Sequence, residues 1–200
     1  FVVPAEGTAG SITQDYIQLG AEHIWEGPDH LLFVMGLLLL VGWNRRLILT
    51  VTAFTLGHSV TLAMVTLGVF DYPVTLVEFM IAMSIYVLAV ELARADGGGA
   101  LWRQPWWLAA GFGLLHGMGF AGALAETGLP QSNVPLALLA FNIGIELGQL
   151  AFIALLVLLF TVGAKLWGAH RITALRPLPI FVLGGLSAMW CIERGLEVLA

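Results

Sequence analysis

The chain has 200 residues, of which 59% are hydrophobic and only 10% are charged, with a net charge of −5. Soluble domains carry about 25% charged residues and could not bury this much apolar surface, so a soluble enzyme or a free-standing binding module is excluded. Eight Lys and Arg without a basic run give no footprint for nucleic acid, and the single Cys191 leaves no internal disulfide. What remains is an all-α, polytopic membrane protein, a helical bundle in contact with the lipid bilayer.

Residues 1–22 read as an extramembrane lead-in. Positions 1–13 are small and polar, with Pro4 and Gly7, and positions 15–25 suit an amphipathic helix in which Tyr16, Leu19 and Ile24 are apolar while Glu22 and Glu26 are polar. Residues 23–200 then form a single transmembrane domain of about six spans, at 23–43, 47–69, 74–94, 105–125, 134–162 and 177–199. A first span opening only at Pro28 would have sixteen residues, about 24 Å of helix, against a hydrocarbon core of about 30 Å. A helix that begins earlier and kinks at Pro28 would leave the Ile24 carbonyl without its bond and open to a ligand. A proline that simply opens a tilted helix is the alternative.

Pro73, Pro105, Pro135 and Pro177 each sit where a later helix should start, and a missing N–H costs little there. Asp71-Tyr72-Pro73, Asp96-Gly97-Gly98-Gly99 and the stretch 127–133 read as turns or loops. A loop carrying Lys165, His170, Arg171 and Arg176 precedes the sixth span. The 1–2, 3–4 and 5–6 connections hold Arg45, Arg46, Arg94, Arg103, Lys165, Arg171 and Arg176, whereas the opposite side holds only Arg194. The positive-inside rule puts the first set in the cytoplasm and both termini outside, in the inner membrane of a bacterium. Glu22 and Glu26 then belong to an acidic outer mouth that attracts cations. Three spans followed by three spans invert the second half relative to the first, with Gly57-His58 opposite Gly144-Ile145-Glu146.

Ionisable groups inside a bilayer are costly and mark function. His58, His116 and Glu146 fall near the centres of spans two, four and five, and Asp29-His30 lies a little to the outer side in span one. Neutral imidazole suits Ni, Co, Zn, Cu and Fe, and a carboxylate adds charge. His23, Asp29, His30, His58, His116 and Glu146 are therefore the expected metal ligands, with Thr55, Ser59, Asn142 and Gln149 as hydrogen-bonding support. Glu78, Glu91 and Glu193 lie nearer span ends and read as surface or packing charges, and the methionines as packing. A structural hydrogen-bond network and a proton relay are the competing readings of the same polar groups.

The phrases His23…Asp29-His30-Leu31-Leu32-Phe33, Phe54-Thr55-Leu56-Gly57-His58, His116-Gly117-Met118-Gly119-Phe120-Ala121 and Phe141-Asn142-Ile143-Gly144-Ile145-Glu146-Leu147-Gly148-Gln149 resemble the HupE/UreJ family. The likeness covers all six spans, and its His-x5-Asp-His motif matches at His23, Asp29 and His30. The second motif departs, with Phe120 and Ala123 where the family carries histidine and glutamate. The resemblance implies a membrane protein of six to eight spans associated with nickel or cobalt uptake. The expected function is transport of a divalent transition-metal cation, nickel or cobalt first and zinc next. An intramembrane zinc hydrolase of ceramidase-like type, with Ser59 stabilising an oxyanion, and a small accessory or homo-oligomeric subunit of a membrane complex are the alternatives.

Overall fold

The computed structural model describes the backbone of residues 8–94, 103–127 and 133–200, and the side chains of these except 120–127. Among the described residues the chain is helical throughout, with no strand. The elements are α1 (Ala9–Glu26), α2 (Pro28–Val41), α3 (Arg45–Thr66), α4 (Val74–Arg94), α5 (Pro105–Thr127), α6 (Val134–Trp167), the short α7 (Ala169–Ala174) and α8 (Pro177–Leu199). The polytopic all-α bundle is thus as expected. The 97–99 loop and most of the 127–133 turn lie outside the described residues.

Helix ends follow local chemistry. The Thr8 hydroxyl accepts from the Ser11 N–H at 3.3 Å to start α1, and the Asn44 carboxamide accepts from the Arg46 N–H at 2.8 Å to start α3. Pro105 and Pro177 open α5 and α8, Pro135 is second in α6, and Pro73 immediately precedes α4. Gly168, at φ 91°, ends α6 in a conformation that disfavours any side chain.

Several boundaries differ from expectation. The first helix starts at Ala9, within what reads as a loose lead-in, because Ile12, Tyr16, Gly20 and Ile24 form one buried stripe at a spacing of four residues. The first span is not one kinked helix. α1 and α2 are separate helices meeting at 78° across Gly27, with Pro28 as the opening residue of α2. Lys165 belongs to the last turn of α6, and His170 and Arg171 to α7, rather than to an open loop. Glu91, read as a surface or packing charge, is buried at 9% exposure and is therefore a packing charge.

Four helical segments, Arg45–Thr66, Val74–Arg94, Val134–Trp167 and Ala169–Leu199, are long and apolar enough to cross a bilayer, and the bent α1–α2 pair is a fifth if its two helices are taken as one broken span. α5 is a further 23-residue helix. Large apolar side chains such as Leu56, Leu147, Leu158 and Phe181 stand exposed, as a lipid-facing surface requires.

Three helix pairs dominate the packing: α3 with α5, α1 with α6, and α4 with α8. The first two are backbone-to-backbone crossings. A Cβ added at Gly57 would collide with the Ala110 carbonyl oxygen, and one at Gly144 with that of Ile17. In lipid, small residues at a crossing permit this approach and the dispersion contacts that follow from it. Phe33, Val51, Phe54, Ile85 and Leu88 centre one apolar core; Tyr16, Ile24, Leu62, Phe141 and Ile145 centre a second. Gly144→Val is therefore predicted to separate α1 from α6 and to lower stability by about 1–3 kcal/mol or more, read as a lower Tm and loss of a single size-exclusion peak. Gly185→Ala, where an added Cβ meets nothing within 4 Å, should leave both unchanged.

Candidate metal centre

The break between α1 and α2 brings two halves of the His-x5-Asp-His motif face to face. His23 is in the last turn of α1 and His30 in the first turn of α2, their ring centroids 4.5 Å apart. His58 of α3 lies 5.9 Å from His23 and 6.3 Å from His30, and His116 of α5 lies 5.1 Å from His30. One ring nitrogen from each of His23, His30 and His58 falls within 4.8 Å of the others. Nitrogens bound tetrahedrally to one Zn-like ion at about 2.0–2.1 Å would be roughly 3.4 Å apart, so a small inward movement of the rings would bring these three to ligand spacing.

The surroundings are dry. His30, His58 and His116 are 6%, 0% and 1% exposed. Phe33 and Phe54 pack on His116 at 5.3 and 5.1 Å between centroids, and Phe141 on His23 at 5.7 Å. The cluster thereby sits where the two apolar cores meet. His23, Glu22 and Asp29 are partly exposed and Glu26 is exposed, so the cluster is nearest solvent at the α1–α2 break.

Hydrogen bonds fix which nitrogens face the centre. Asp29 Oδ1 accepts from the His30 N–H at 3.0 Å and lies 3.2 Å from His30 Nδ1. An ionised carboxylate only accepts, so Nδ1 carries the proton and the Nε2 lone pair is left for a ligand. This is the carboxylate–histidine arrangement that orients metal-bound imidazoles. The Ser84 hydroxyl donates to the Ile81 carbonyl at 2.7 Å. Its oxygen therefore accepts from His116 Nε2 at 3.2 Å, and the His116 lone pair is on Nδ1. His30 Nε2 and His116 Nδ1 are buried without a hydrogen-bond partner among the described residues, and His58 is buried beside Asn142, which can bond one of its two nitrogens. Buried polar atoms are almost always bonded, and a cation bound by these lone pairs would satisfy several of them together.

The other expected site residues are distributed as follows. Asn142 on α6 faces His58, its amide nitrogen donating to the Leu138 carbonyl at 2.7 Å. Glu146 does not join the histidines; it accepts from the Thr52 hydroxyl at 2.6 Å where α3 crosses α6. Thr55 donates to Gln149 Oε1 at 3.0 Å beside it. The Ser59 hydroxyl donates to the Thr55 carbonyl at 2.6 Å, within its own helix. Glu22 accepts from Gln18 at 2.7 Å. Two residues were missed by sequence reasoning. Ser84 was visible only as one hydroxyl in an apolar run. Arg194 was visible as the lone basic residue opposite the arginine-rich ends. Its guanidinium donates to the Glu78 carbonyl at 3.0 Å and lies 3.9 Å from Asp29 Oδ2.

No curated protein and no solved structure matches the chain. The family described as HupE / UreJ protein matches residues 3–194, nearly the whole length, including His23, Asp29, His30, His58 and His116. The chain therefore belongs to the HupE/UreJ protein family.

Proposed function

We propose that the chain carries a divalent transition-metal cation across the membrane, nickel or cobalt first and zinc next, through the His23–His30–His58–His116 cluster. The observation that carries this reading is the convergence of three histidines to within 4.8 Å, with a fourth beside them, in an apolar interior. His30, His58 and His116 supply lone pairs, and His23 joins them from the α1 side. Asp29 acts through His30 and adds negative charge, which a divalent ion in a medium of low dielectric needs. Glu146, tied to Thr52, contributes charge from one helix crossing away, and Glu22 and Glu26 gather cations at the mouth. The association of this family with nickel and cobalt uptake supports the choice of ion. The hydrolase alternative gave Ser59 the oxyanion role, and the Ser59 hydroxyl instead donates to the Thr55 carbonyl within its own helix.

Purified protein offered Ni, Co and Zn should retain about one ion per chain, as a single four-coordinate site does. His58→Gln keeps a hydrogen-bonding side chain but removes a good ligand. Metal content and uptake should fall at least tenfold while the size-exclusion profile stays normal. Elemental analysis and radiotracer uptake into proteoliposomes read both. A His58→Gln protein that holds and carries metal like its parent would reduce the cluster to a structural network.

The proposed orientation, termini outside in a bacterial inner membrane, has its own test. With Cys191 replaced by serine, a membrane-impermeant thiol reagent applied to intact cells should label Thr8→Cys and spare Arg171→Cys. The reverse pattern would turn the molecule over.

A further inference from the structure

The three tight helix pairs carry a symmetry. Exchanging α1 with α5, α3 with α6 and α4 with α8 maps the α1–α6 pair onto α5–α3 and the α4–α8 pair onto itself, while keeping chain order within each half. The contacts agree residue by residue. A Cβ on Gly20 would collide with the Phe141 carbonyl oxygen and lie 3.0 Å from the Ile145 nitrogen; one on Gly113 would collide with the Phe54 carbonyl oxygen and lie 3.0 Å from the His58 nitrogen. A Cβ on Gly144 meets the Ile17 carbonyl oxygen, and one on Gly57 meets that of Ala110. Gly20 and Ile17 are each 93 residues from their counterparts Gly113 and Ala110, and Phe54, Gly57 and His58 are each 87 from Phe141, Gly144 and Ile145. The shared residues read Gly-x-x-His in α1 and α5, at Gly20–His23 and Gly113–His116, and Phe-x-x-Gly in α3 and α6, at Phe54–Gly57 and Phe141–Gly144.

The direction of the symmetry follows from the same contacts. α4 and α8 run antiparallel, Phe79 meeting Gly195 and Ala89 meeting Gly184. An operation that exchanges two antiparallel helices reverses their direction, so its axis is perpendicular to them, in the plane of the membrane. The halves are therefore inverted, as in transporters that open alternately to either side.

We propose that the chain is an inverted repeat in which the α1–α6 and α3–α5 pairs are two rigid bodies that move against each other about the α3–α6 crossing, exposing the cation site to one side and then the other. The inference rests on the transport reading above. Within each pair, glycines put backbone against backbone. Between the pairs, the α3–α6 crossing carries the hydrogen bonds Thr52–Glu146 and Thr55–Gln149, which can be exchanged for water. The cation ligands are divided between the bodies, His23 on α1 against His58 on α3 and His116 on α5. Moving the bodies apart therefore dismantles the site and releases the ion, coupling opening to affinity. His58, matched by Ile145 in the other half, is where the two halves differ in ligand chemistry.

The test locks the bodies. In a Cys191→Ser background, Thr55→Cys with Gln149→Cys places a cross-link between them, closed by a short bifunctional thiol reagent that a reductant cleaves. Ala89→Cys with Gly184→Cys, where the added Cβ would stand 3.6 Å from its partner, closes a disulfide inside one pair. The first lock should cut uptake at least tenfold and reversibly, with metal binding retained; the second should leave uptake near the uncross-linked level. Uptake that survives the first lock would overturn the proposal while leaving transport intact. Absence of metal binding and uptake in the unsubstituted chain would instead overturn the transport reading. Spin-label distances decide independently of activity. Leu56→Cys with Leu147→Cys, exposed on different bodies, should show a distance that changes on adding nickel. Leu56→Cys with Leu114→Cys, on one body, should not change. Distances that are invariant for both pairs would overturn the two-body motion.

Discussion

Among the described residues, His30, His58 and His116 present more ring nitrogens than there are groups beside them to bond, and the helices around them are arranged about that excess. Phe33 and Phe54 wall His116, Phe141 walls His23, and Ser84 and Asp29 each satisfy one nitrogen of a single ring. An unsatisfied buried donor or acceptor costs about 1–3 kcal/mol, and among the described residues His30, His58 and His116 each present at least one such nitrogen. A network built only to hold helices would close on itself, as the Thr55–Gln149 bond does one turn away. The histidines converge without closing, and a bound cation would convert their cost into affinity.

Two features make that convergence possible. The first is the 78° break at Gly27, which turns α2 back so that His30 meets His23 instead of continuing away along a straight helix. Pro28 secures the break, since it has no N–H to offer the Ile24 carbonyl. The second is the pair of glycine crossings, which draw the α3 and α5 backbones together so that His58 and His116 approach the same space. Arg194 is the only described basic group near the centre. By engaging Asp29 and the Glu78 carbonyl it ties α8 to α2 and α4 at the face of the cluster nearest solvent.

Much of this was legible in the sequence, and the remainder was hidden for physical reasons. The all-α bundle follows from composition, and the helix starts from prolines whose missing N–H fits only a first turn. His23, His30, His58 and His116 stood out because an imidazole deep in an apolar run is expensive wherever it is found. Their spacing could not show that Asp29 is spent on His30, or that Glu146 is spent on Thr52, since both depend on which way a helix face turns. The helix expected over 15–25 begins earlier, at Ala9, because α1 packs on α6 through Tyr16 and Gly20. Whether Glu91 was a surface or a packing charge could not be read from its place near a helix end; α4 is covered on several sides, and the side chain is buried. The sequence suggested the proposed repeat through span count and the placing of Gly57-His58 opposite Gly144-Ile145-Glu146; its wider register needed the carbonyl contacts of Gly20, Gly57, Gly113 and Gly144.

On the proposed function, histidine nitrogens, with no sulfur, hold one cation inside the bundle. X-ray absorption at the nickel or cobalt edge of the metal-loaded protein tests it directly. The expected first shell is nitrogen and oxygen only, with the outer-shell scattering of at least three imidazole rings. A shell containing sulfur from Met118 or Cys191, or one made of oxygens without imidazole scattering, would contradict it.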